Sequence, residues 1–396
     1  MKFPKWFLLL FTAALLFLAG VGSVDAGDFR KFRAGQLTVM TQNLYVGGDI
    51  LLPLSVPPED FAEAAALVVR QILATDYPQR AMKLAELIRE ERPHLVGLQE
   101  VYVIRLCLDA ALTQCPVDLD YLDILLANLN ARGTLYREAA SVTNIDLAGL
   151  PASLPDGTPV YVVLTDRDVT IARKDVETRN PVAKNFDAGL PVDNPLLPGF
   201  DKVLRGYTAV EATVRGRDYR FVNTHLEVSG GGELGPFFRA IQAAQTTELV
   251  QFLYADDHVQ VVVGDFNSSP DDGPHVDCLV PDGGGGFIPT SCPTPYSVMT
   301  HATYIDVWNE RGGRWSPGYT CCQDTLLDNP VSQLEERIDL IWVRQAPDHY
   351  GGPIVRGVRA DVIGEEPEDK TISGLWPSDH AGVSAGMTLR VPRERR

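Results

Sequence analysis

One apolar stretch of this chain ends in a carboxylate and a carboxamide. In VVVGDFNSSPDD, which runs from Val261 to Asp272, three valines and a glycine lead into Asp265 and Asn267. Side chains alternate along an extended strand, so Asp265 and Asn267 point to the same side. A strand built for a core therefore delivers two polar groups that could orient water, bind a cation or hold an anion.

The same arrangement recurs at other strand ends. Apolar sequence stops at a polar residue in TQNLY, LQEVY, NTHLE and SDHAG, and an aspartate interrupts the apolar RIDLIWV. Each residue alone has an ordinary structural explanation, because Asn, Asp and Ser often bond to nearby backbone. Together the motifs favour one common site. Its candidate residues are Asn43, Glu100, His225, Asp265, Asn267, Asp339, Asp379 and His380.

Strands and helices must bring these residues together. Alternating or continuous apolar runs predict strands, and apolar residues at helical spacing predict helices. The predicted strands cover residues 36–45, 95–98, 160–164, 168–173, 206–214, 219–228, the stretch before Asp265, 337–343 and the sequence after WPSDHAG. The predicted helices lie near 57–73 and 78–91, at 118–131 and at 237–254, and the Gly/Pro-rich residues 271–295 are predicted to be a loop. This order favours two sheets packed face to face with helices outside them.

The ordered motifs QN, LQE, NTH, GDFN, RID and SDH resemble the endonuclease/exonuclease/phosphatase superfamily, which includes pancreatic-type deoxyribonuclease and bacterial neutral sphingomyelinases. The resemblance extends from Gln36 to Val391, and the domain is predicted to cover residues 36–392. It implies a four-layer α/β/β/α sandwich of two mixed sheets with outer helices. It also implies a metal-dependent phosphoesterase that hydrolyses phosphodiester bonds with activated water. A non-catalytic binding protein on this scaffold is the alternative, but the motif residues that such a protein would lack are present.

The chemistry of phosphodiesters indicates what the site must contain. Their oxygens repel a nucleophile, so hydrolysis needs a cation, a base for water and donors for the developing charge. Oxygen ligands with few histidines favour Mg²⁺ over zinc, with Mn²⁺ or Ca²⁺ as alternatives. We predict that Glu100 binds the metal and that Asn43 and Asp379 complete or orient its shell.

The resemblance also implies roles for the remaining motif residues. Asp265 would orient or activate the water, and Asn267 would hold a phosphate oxygen. His380 would pair with Asp339, while His225 would protonate the leaving oxygen or stabilise the phosphorane. The sequence leaves open which residue is the base and which is the acid.

Two further positions bear on the substrate. Arg167 matches a family position where an arginine contacts phosphate, although a surface salt bridge with Asp166 or Asp168 is the alternative. Tyr45 departs from the abasic-site enzymes, which have an acidic residue there, and Asp49 is the candidate substitute. This departure argues against a role in DNA repair.

Several segments are candidates for substrate selection. Ser141–Pro159 and Gly318–Pro330 have no counterpart in the family pattern and are predicted to be loops near the site. An enzyme that works on lipid surfaces should expose an apolar hairpin, for which Leu197–Tyr207 is the candidate. Trp376 would either stack on a base or head group or pack in the core. Nucleic acid, phospholipid head group and small phosphate ester all remain open as substrates.

Charge weighs against one of these substrates. The 396 residues carry a formal charge of −17 and show no basic stripe, whereas proteins that grip nucleic acid concentrate positive charge. Cleavage of nucleic acid stays open, because a bound cation reverses the field locally. No stable protein partner is implied, and a monomer is expected.

The N-terminus and the cysteines predict export. Residues 1–26 combine two lysines, a long apolar run and the small residues Val24 and Ala26, as in a signal peptide. An uncleaved membrane anchor is the alternative, but the run is short for a span of about 20 residues. A secreted or extracytoplasmic protein is therefore predicted, and six cysteines predict disulfides in it. The expected pairs are Cys107–Cys115 and Cys278–Cys292, with Cys321 and Cys322 bridged to each other or free.

Overall fold

The computed structural model describes residues 36–389, apart from 132, 134, 198, 285, 313–315 and 345–354. The predicted signal peptide and the last residues of the predicted domain lie outside these ranges. The strands are β1 Gln36–Asn43, β2 Leu95–Gln99, β3 Val103–Cys107, β4 Val117–Asp120, β5 Tyr136–Ser153, β6 Pro159–Arg173, β7 Glu177–Asn185, β8 Leu190–Pro191, β9 Lys202–Val203, β10 Gly206–Val214, β11 Arg217–His225, β12 Val259–Asp265, β13 His275–Pro281, β14 Phe287–Pro293, β15 Tyr304–Asp306, β16 Asp339–Arg344, β17 Val355–Ile363 and β18 Gly382–Leu389. The α-helices are α1 Leu52–Ser55, α2 Phe61–Ala74, α3 Tyr77–Glu91, α4 Tyr121–Asn130, α5 Gly235–Tyr254 and α6 Pro295–His301.

The larger strands form two mixed sheets. The first has the spatial order β17-β18-β1-β2-β6-β3-β4, with β5 paired to β6. The second has the order β15-β16-β12-β11-β10-β7, and two small hairpins, β8–β9 and β13–β14, stand apart. Parallel pairs lie at the centre of each sheet, β1 beside β2 and β11 beside β12.

Three apolar clusters show that the molecule has four layers. One cluster joins the outer face of the first sheet to α2, α3 and α4. A second lies between the two sheets, and a third joins the outer face of the second sheet to α5 and α6. The predicted α/β/β/α sandwich is therefore confirmed, because each sheet buries one face on the other sheet and one on helices.

The two-residue period of the strands places the polar ends of the motifs. On β12, Val261 and Val263 point between the sheets, while Val262 packs against α5. Asp265 shares the parity of Val261 and so faces the space between the sheets. The same parity holds for the polar residues at the ends of four other strands, namely Asn43, Gln99, His225 and Asp339.

Some predicted elements differ from the structure in type or in where they begin. Ser141–Pro159 is not a loop but contains most of β5 and the turn that joins β5 to β6 in a long hairpin. The predicted loop 271–295 contains the β13–β14 hairpin, because two runs of β-compatible residues flank its glycines. The helix predicted at 118–131 begins only at Tyr121, because Asp120 ends β4 and caps the helix by accepting the N–H groups of Leu122 and Asp123.

Both expected cysteine pairs are formed, and the alternative left open for the third pair is decided. Cys107 pairs with Cys115 and Cys278 with Cys292, and the neighbouring Cys321 and Cys322 are joined to each other rather than free. The second disulfide ties β13 to β14. Within the described residues, no helix combines the length and apolar character needed to cross a membrane.

Candidate active site

The predicted residues meet at one end of the space between the sheets. In the second sheet, Asp265 lies directly between His225 on β11 and Asp339 on β16. In the first sheet, Asn43 lies beside Gln99, which precedes Glu100. The segment with Asp379 and His380 leads into β18, the neighbour of β1. Residues far apart in sequence thus reach one site because their strands end at the same edge.

The strand exits have an unusual backbone. Tyr45, Glu100 and Asn267 have left-handed φ values of 58°, 55° and 47°, a region that side chains other than glycine seldom occupy. Near the end of β12, Gly264 has a φ of 154°, and a side chain there would collide with the carbonyl of Thr224. Residues in such conformations cost of order 1–3 kcal/mol each and persist only when surrounding contacts hold them. The chain turns sharply at the site, and contacts with the surrounding residues hold these turns in place.

Asp265 lies at the centre of the site. Its Oδ1 accepts the N–H of Asn267 at 2.9 Å, and its Oδ2 accepts the side-chain amide of Asn43 at 3.1 Å. The Nε2 atoms of His225 and His380 lie 3.5 and 3.8 Å from the same Oδ2. Burial, aided by the charge of Asp339, raises the pKa of Asp265 to about 7, while His380 acts in the opposite direction. Two imidazoles therefore converge on one carboxylate that titrates near neutrality.

His380 lies among carboxylates. Its Nδ1 is 2.8 Å from Oδ2 of Asp339, and both side chains are buried. Burial opposes a charge on the ring, yet Asp339, Asp379 and Asp265 together raise the pKa of His380 well above its usual value. The imidazolium form is therefore favoured.

His225 has the opposite environment. Its Nδ1 lies 3.2 Å from Nη1 of Arg205 and 3.9 Å from Oδ1 of Asp168. Burial, then Arg205, then His380 hold the pKa of His225 well below its usual value. Arg205 itself lies 3.9 Å from Asp166 and 3.5 Å from Glu227. The neutral form of this ring is therefore favoured.

Sequence reasoning missed Arg205. A signal was present, because Asp166, Asp168 and Glu227 stand in or beside apolar strands and buried carboxylates require a cation. Burial and the neighbouring Asp166 raise the pKa of Asp168 well above its usual value, which shows how concentrated this charge is. Arg205 is the cation that these acids surround.

Carboxylates form the candidate metal site. Glu100 accepts the amide of Asn43 at 3.2 Å on one oxygen and the N–H of Val46 at 3.0 Å on the other. Burial raises the pKa of Asp379 to about 7; His380 opposes this effect, whereas Glu100 and Asp265 add to it. Asn43 directs its amide nitrogen to Glu100 and Asp265, and its oxygen accepts the N–H of Tyr45. In this geometry Asn43 orients carboxylates.

This donor set fits a hard divalent cation. Glu100 and Asp379 repel each other electrostatically, as the raised pKa of Asp379 shows, and oxygen-rich sites of this kind suit Mg²⁺, Ca²⁺ or Mn²⁺. Ligand atoms of Asp265, Asp339 and His380 also lie within 4.8 Å of one another. Cys321 and Cys322 lie equally close to His380, but their sulfur atoms are joined in a disulfide.

Arg80 is a second residue that sequence reasoning missed. It is fully buried on α3 and donates to the carbonyls of Leu44, Tyr45, Thr75 and Pro377. It thus ties the segment after Asn43 to the segment before Asp379. An arginine within the apolar stripe of a helix is the signal that would have identified it.

Arg167 lies beside the site with a partner that was not expected. Its Nη2 is 2.7 Å from Oδ1 of Asp120, and its Nε donates to the carbonyl of Val101. The expected partners Asp166 and Asp168 are wrong, because both are buried beside Arg205, and side chains alternate along β6. The phosphate contact stays a prediction.

Other predicted substrate contacts differ from expectation. Trp376 is completely buried and donates to the carbonyl of Asn329, so it packs and does not stack on a ligand. Asp49 is exposed and accepts the N–H of Leu51, a turn contact that does not place it among the carboxylates of the site.

The two candidate segments behave differently. Gly318–Pro330 lies against the site, because Gln323 donates to the carbonyl of Asp379 and Cys321 forms a β-bridge with His380. Leu197–Tyr207 is not an exposed apolar hairpin, because its apolar side chains at Leu197 and Val203 are buried.

Comparison with known proteins identifies the family. The Endonuclease/Exonuclease/phosphatase family matches residues 40–380. None of the curated proteins matches the chain. A humanized TDP2 from D. rerio is similar at 16% identity, covering 89% of this chain and 99% of its own, with a TM-score of 0.45. An endonuclease/exonuclease/phosphatase from Beutenbergia cavernae is similar at 20% identity, covering 89% of this chain and 72% of its own, with a TM-score of 0.49. The mannosyl-6-phosphatase Bt3783 of Bacteroides thetaiotaomicron is similar at 15% identity, covering 89% of this chain and 100% of its own, with a TM-score of 0.48. The chain belongs to the endonuclease/exonuclease/phosphatase family and is a phosphoester hydrolase of that type.

Proposed function

We propose that the protein is an exported, Mg²⁺-dependent phosphodiesterase that acts as a monomer. The observation that carries the proposal is the convergence of two imidazoles on Asp265, next to the carboxylates of Glu100 and Asp379. The predicted signal peptide and the three disulfides support export. Nothing in this arrangement requires a protein partner.

The residues of the chain divide the work of hydrolysis. Asp265, whose pKa is about 7, accepts a proton from water as the water oxygen attacks phosphorus. The bond from phosphorus to the leaving oxygen then breaks, and His380, charged through Asp339, supplies the proton that this oxygen requires. The side-chain amide of Asn267 donates one N–H to the carbonyl of Leu226, and its second N–H would hold a phosphate oxygen.

The metal adds charge neutralisation. Glu100 and Asp379 would hold it, with Asn43 orienting Glu100. When bound, a divalent cation stabilises the negative charge that develops on the phosphoryl oxygens.

Nicking of supercoiled plasmid DNA tests this proposal. The purified protein should nick plasmid with Mg²⁺ and stop when EDTA is added. Glu100→Gln should abolish nicking, whereas Glu59→Gln, a matched change at an exposed residue, should not. Nicking by the Glu100 variant at the wild-type rate would contradict the metal assignment.

A phospholipid head group is the second candidate substrate. The exposed apolar hairpin expected of an interfacial enzyme is absent at 197–207, but β13–β14 presents Phe287 and Ile288, each 51% exposed. Phe237 on α5 packs edge-on against Phe287, and Gln242 on the same helix donates to the carbonyl of Asn267. An apolar surface therefore lies on the helix that supports a site residue. Hydrolysis of sphingomyelin or phosphatidylcholine vesicles without plasmid nicking would favour this substrate.

A further inference from the structure

The inner nitrogen of His225 has a guanidinium and a carboxyl group as neighbours. Arg205 brings Nη1 to 3.2 Å from Nδ1, and Asp168 brings Oδ1 to 3.9 Å. All three side chains are buried, so water does not screen these contacts. The two neighbours demand different protonation of the ring, because a carboxylate favours a proton on Nδ1 and a guanidinium favours a lone pair there.

Distance and anchoring decide in favour of Arg205. A guanidinium has only donors and stays charged in proteins, so at hydrogen-bond distance it must face a lone pair. It cannot readily turn away, because Asp166 and Glu227 hold it at 3.9 and 3.5 Å. We infer that Arg205 is a positioning residue that keeps His225 neutral, with its single proton on Nε2.

This inference deepens the proposed function and rests on it for its catalytic meaning. A ring protonated on Nε2 directs that N–H towards Oδ2 of Asp265 and the space where the phosphate would lie. His225 would then stabilise negative charge on a non-bridging oxygen by hydrogen bonding. It would not protonate the leaving oxygen, because it carries no proton that it can readily lose. Of the two roles that the sequence left open for His225, this arrangement assigns the second.

Nitrogen NMR of ¹⁵N-histidine-labelled full-length protein tests the tautomer without measuring activity. The chain has seven histidines, and the His225 signals can be assigned by their absence in His225→Asn. We expect a protonated Nε2 and an unprotonated Nδ1. Arg205→Met should move the proton to Nδ1, which then faces Asp168, whereas Arg205→Lys, which retains a charged donor, should preserve the wild-type tautomer.

Kinetics provide the second readout. Removing one hydrogen-bond donor to developing charge lowers kcat by roughly 10²- to 10³-fold, so Arg205→Met should show a loss of that size with little change in KM. Arg205→Lys should recover part of the rate. Asp168→Asn, which alters a buried charge next to the same nitrogen, should leave the proton on Nε2. Thermal melting of each variant identifies any that fail to fold.

Two results would overturn the inference. One is a wild-type His225 at neutral pH with its proton on Nδ1 or with both nitrogens protonated. The other is a folded Arg205→Met protein in which the tautomer is unchanged. If the wild type hydrolysed no phosphoester but the tautomer shifted as expected, the proposed function would fail and the role of Arg205 would stand.

Discussion

The surroundings of His225 and His380 differ, although both rings direct Nε2 at the same oxygen of Asp265. The second nitrogen of His380 contacts the carboxylate of Asp339, and the second nitrogen of His225 contacts the guanidinium of Arg205. One ring is therefore favoured as a cation and the other as a neutral donor. A histidine in a catalytic motif has no fixed role, because the partner behind the ring determines its protonation.

Loss of the charged imidazole should have the largest effect. His380→Ala removes the proposed proton donor together with its positive charge, so we expect kcat to fall by roughly 10²- to 10⁴-fold. Initial rates of phosphodiester hydrolysis measure the loss. His275→Ala is the matched control, since His275 is exposed at the start of β13. A similar loss in both variants would point to damage unrelated to the site.

Removal of the partner behind His380 should be nearly as harmful and should depend on pH. In Asp339→Asn the pKa of His380 falls, because the carboxylate that contributes most to raising it is lost, so between pH 5.5 and pH 8 the ring of the variant loses its charge more readily than the ring of the wild type. The ratio of wild-type to variant kcat should therefore rise with pH across this range. Asp306→Asn also removes a buried acid of the second sheet and should not produce this slope. A ratio independent of pH would contradict the pairing.

Proton release on metal binding should reveal the buried carboxylates Asp265 and Asp379. The pKa values of Asp265 and Asp379 are both about 7 without a metal, so each is about half protonated at pH 7. Binding of Mg²⁺ requires Asp379 to be deprotonated, and the charge of the cation also favours a deprotonated Asp265 nearby, so up to about one proton should be expelled at pH 7 and almost none at pH 9. A pH-indicator dye measures the release. Equal release at both pH values would show that neither acid is coupled to the metal.

A third buried histidine, His94, lies away from the site and, like His225, has a lowered pKa. Burial, together with Arg173, lowers the pKa of His94 to about 4, and its Nδ1 accepts the N–H of Thr38. Because the unfolded value is 6.5, this stability is present above pH 6.5 and is lost as pH falls towards 4, by about 3 kcal/mol in total. His94→Gln should weaken this pH dependence of the free energy of unfolding in urea, with kcat unchanged. A variant as acid-sensitive as the wild type would contradict the shift.

The strands that could be predicted from the sequence are determined by a local pattern of apolar residues. The apolar period of β1, β2, β11, β12 and β16 defines both a strand and the side on which its last polar residue lies. Strand β5 and the β13–β14 hairpin were missed, although most of β6 was predicted, because glycine, proline and polar residues favour loops locally while pairing with a partner strand overrides that tendency.

The residues that sequence reasoning missed depend on distant partners. Arg80 acts through the carbonyl of Pro377, and Arg205 through acids on β6 and after β11. No local spacing encodes such contacts. The motif residues could be named because strand ends mark them, but the protonation of each imidazole is set by the residue behind it and became visible only in three dimensions.

The pairing of β1 with β18 has a consequence for the order in which the enzyme becomes active. Gln36 pairs with Thr388, so β1, the first described strand to be synthesised, cannot form this pairing until β18, the last described strand, has been synthesised. Until β18 arrives, β1 has an unpaired edge, and Asp379 and His380 cannot be held beside Asp265. A nascent chain that lacks β18 therefore carries Glu100 and Asp265 without the capacity to hydrolyse a phosphoester. The producing cell is therefore not exposed to the activity of the enzyme until nearly the whole domain has been translated.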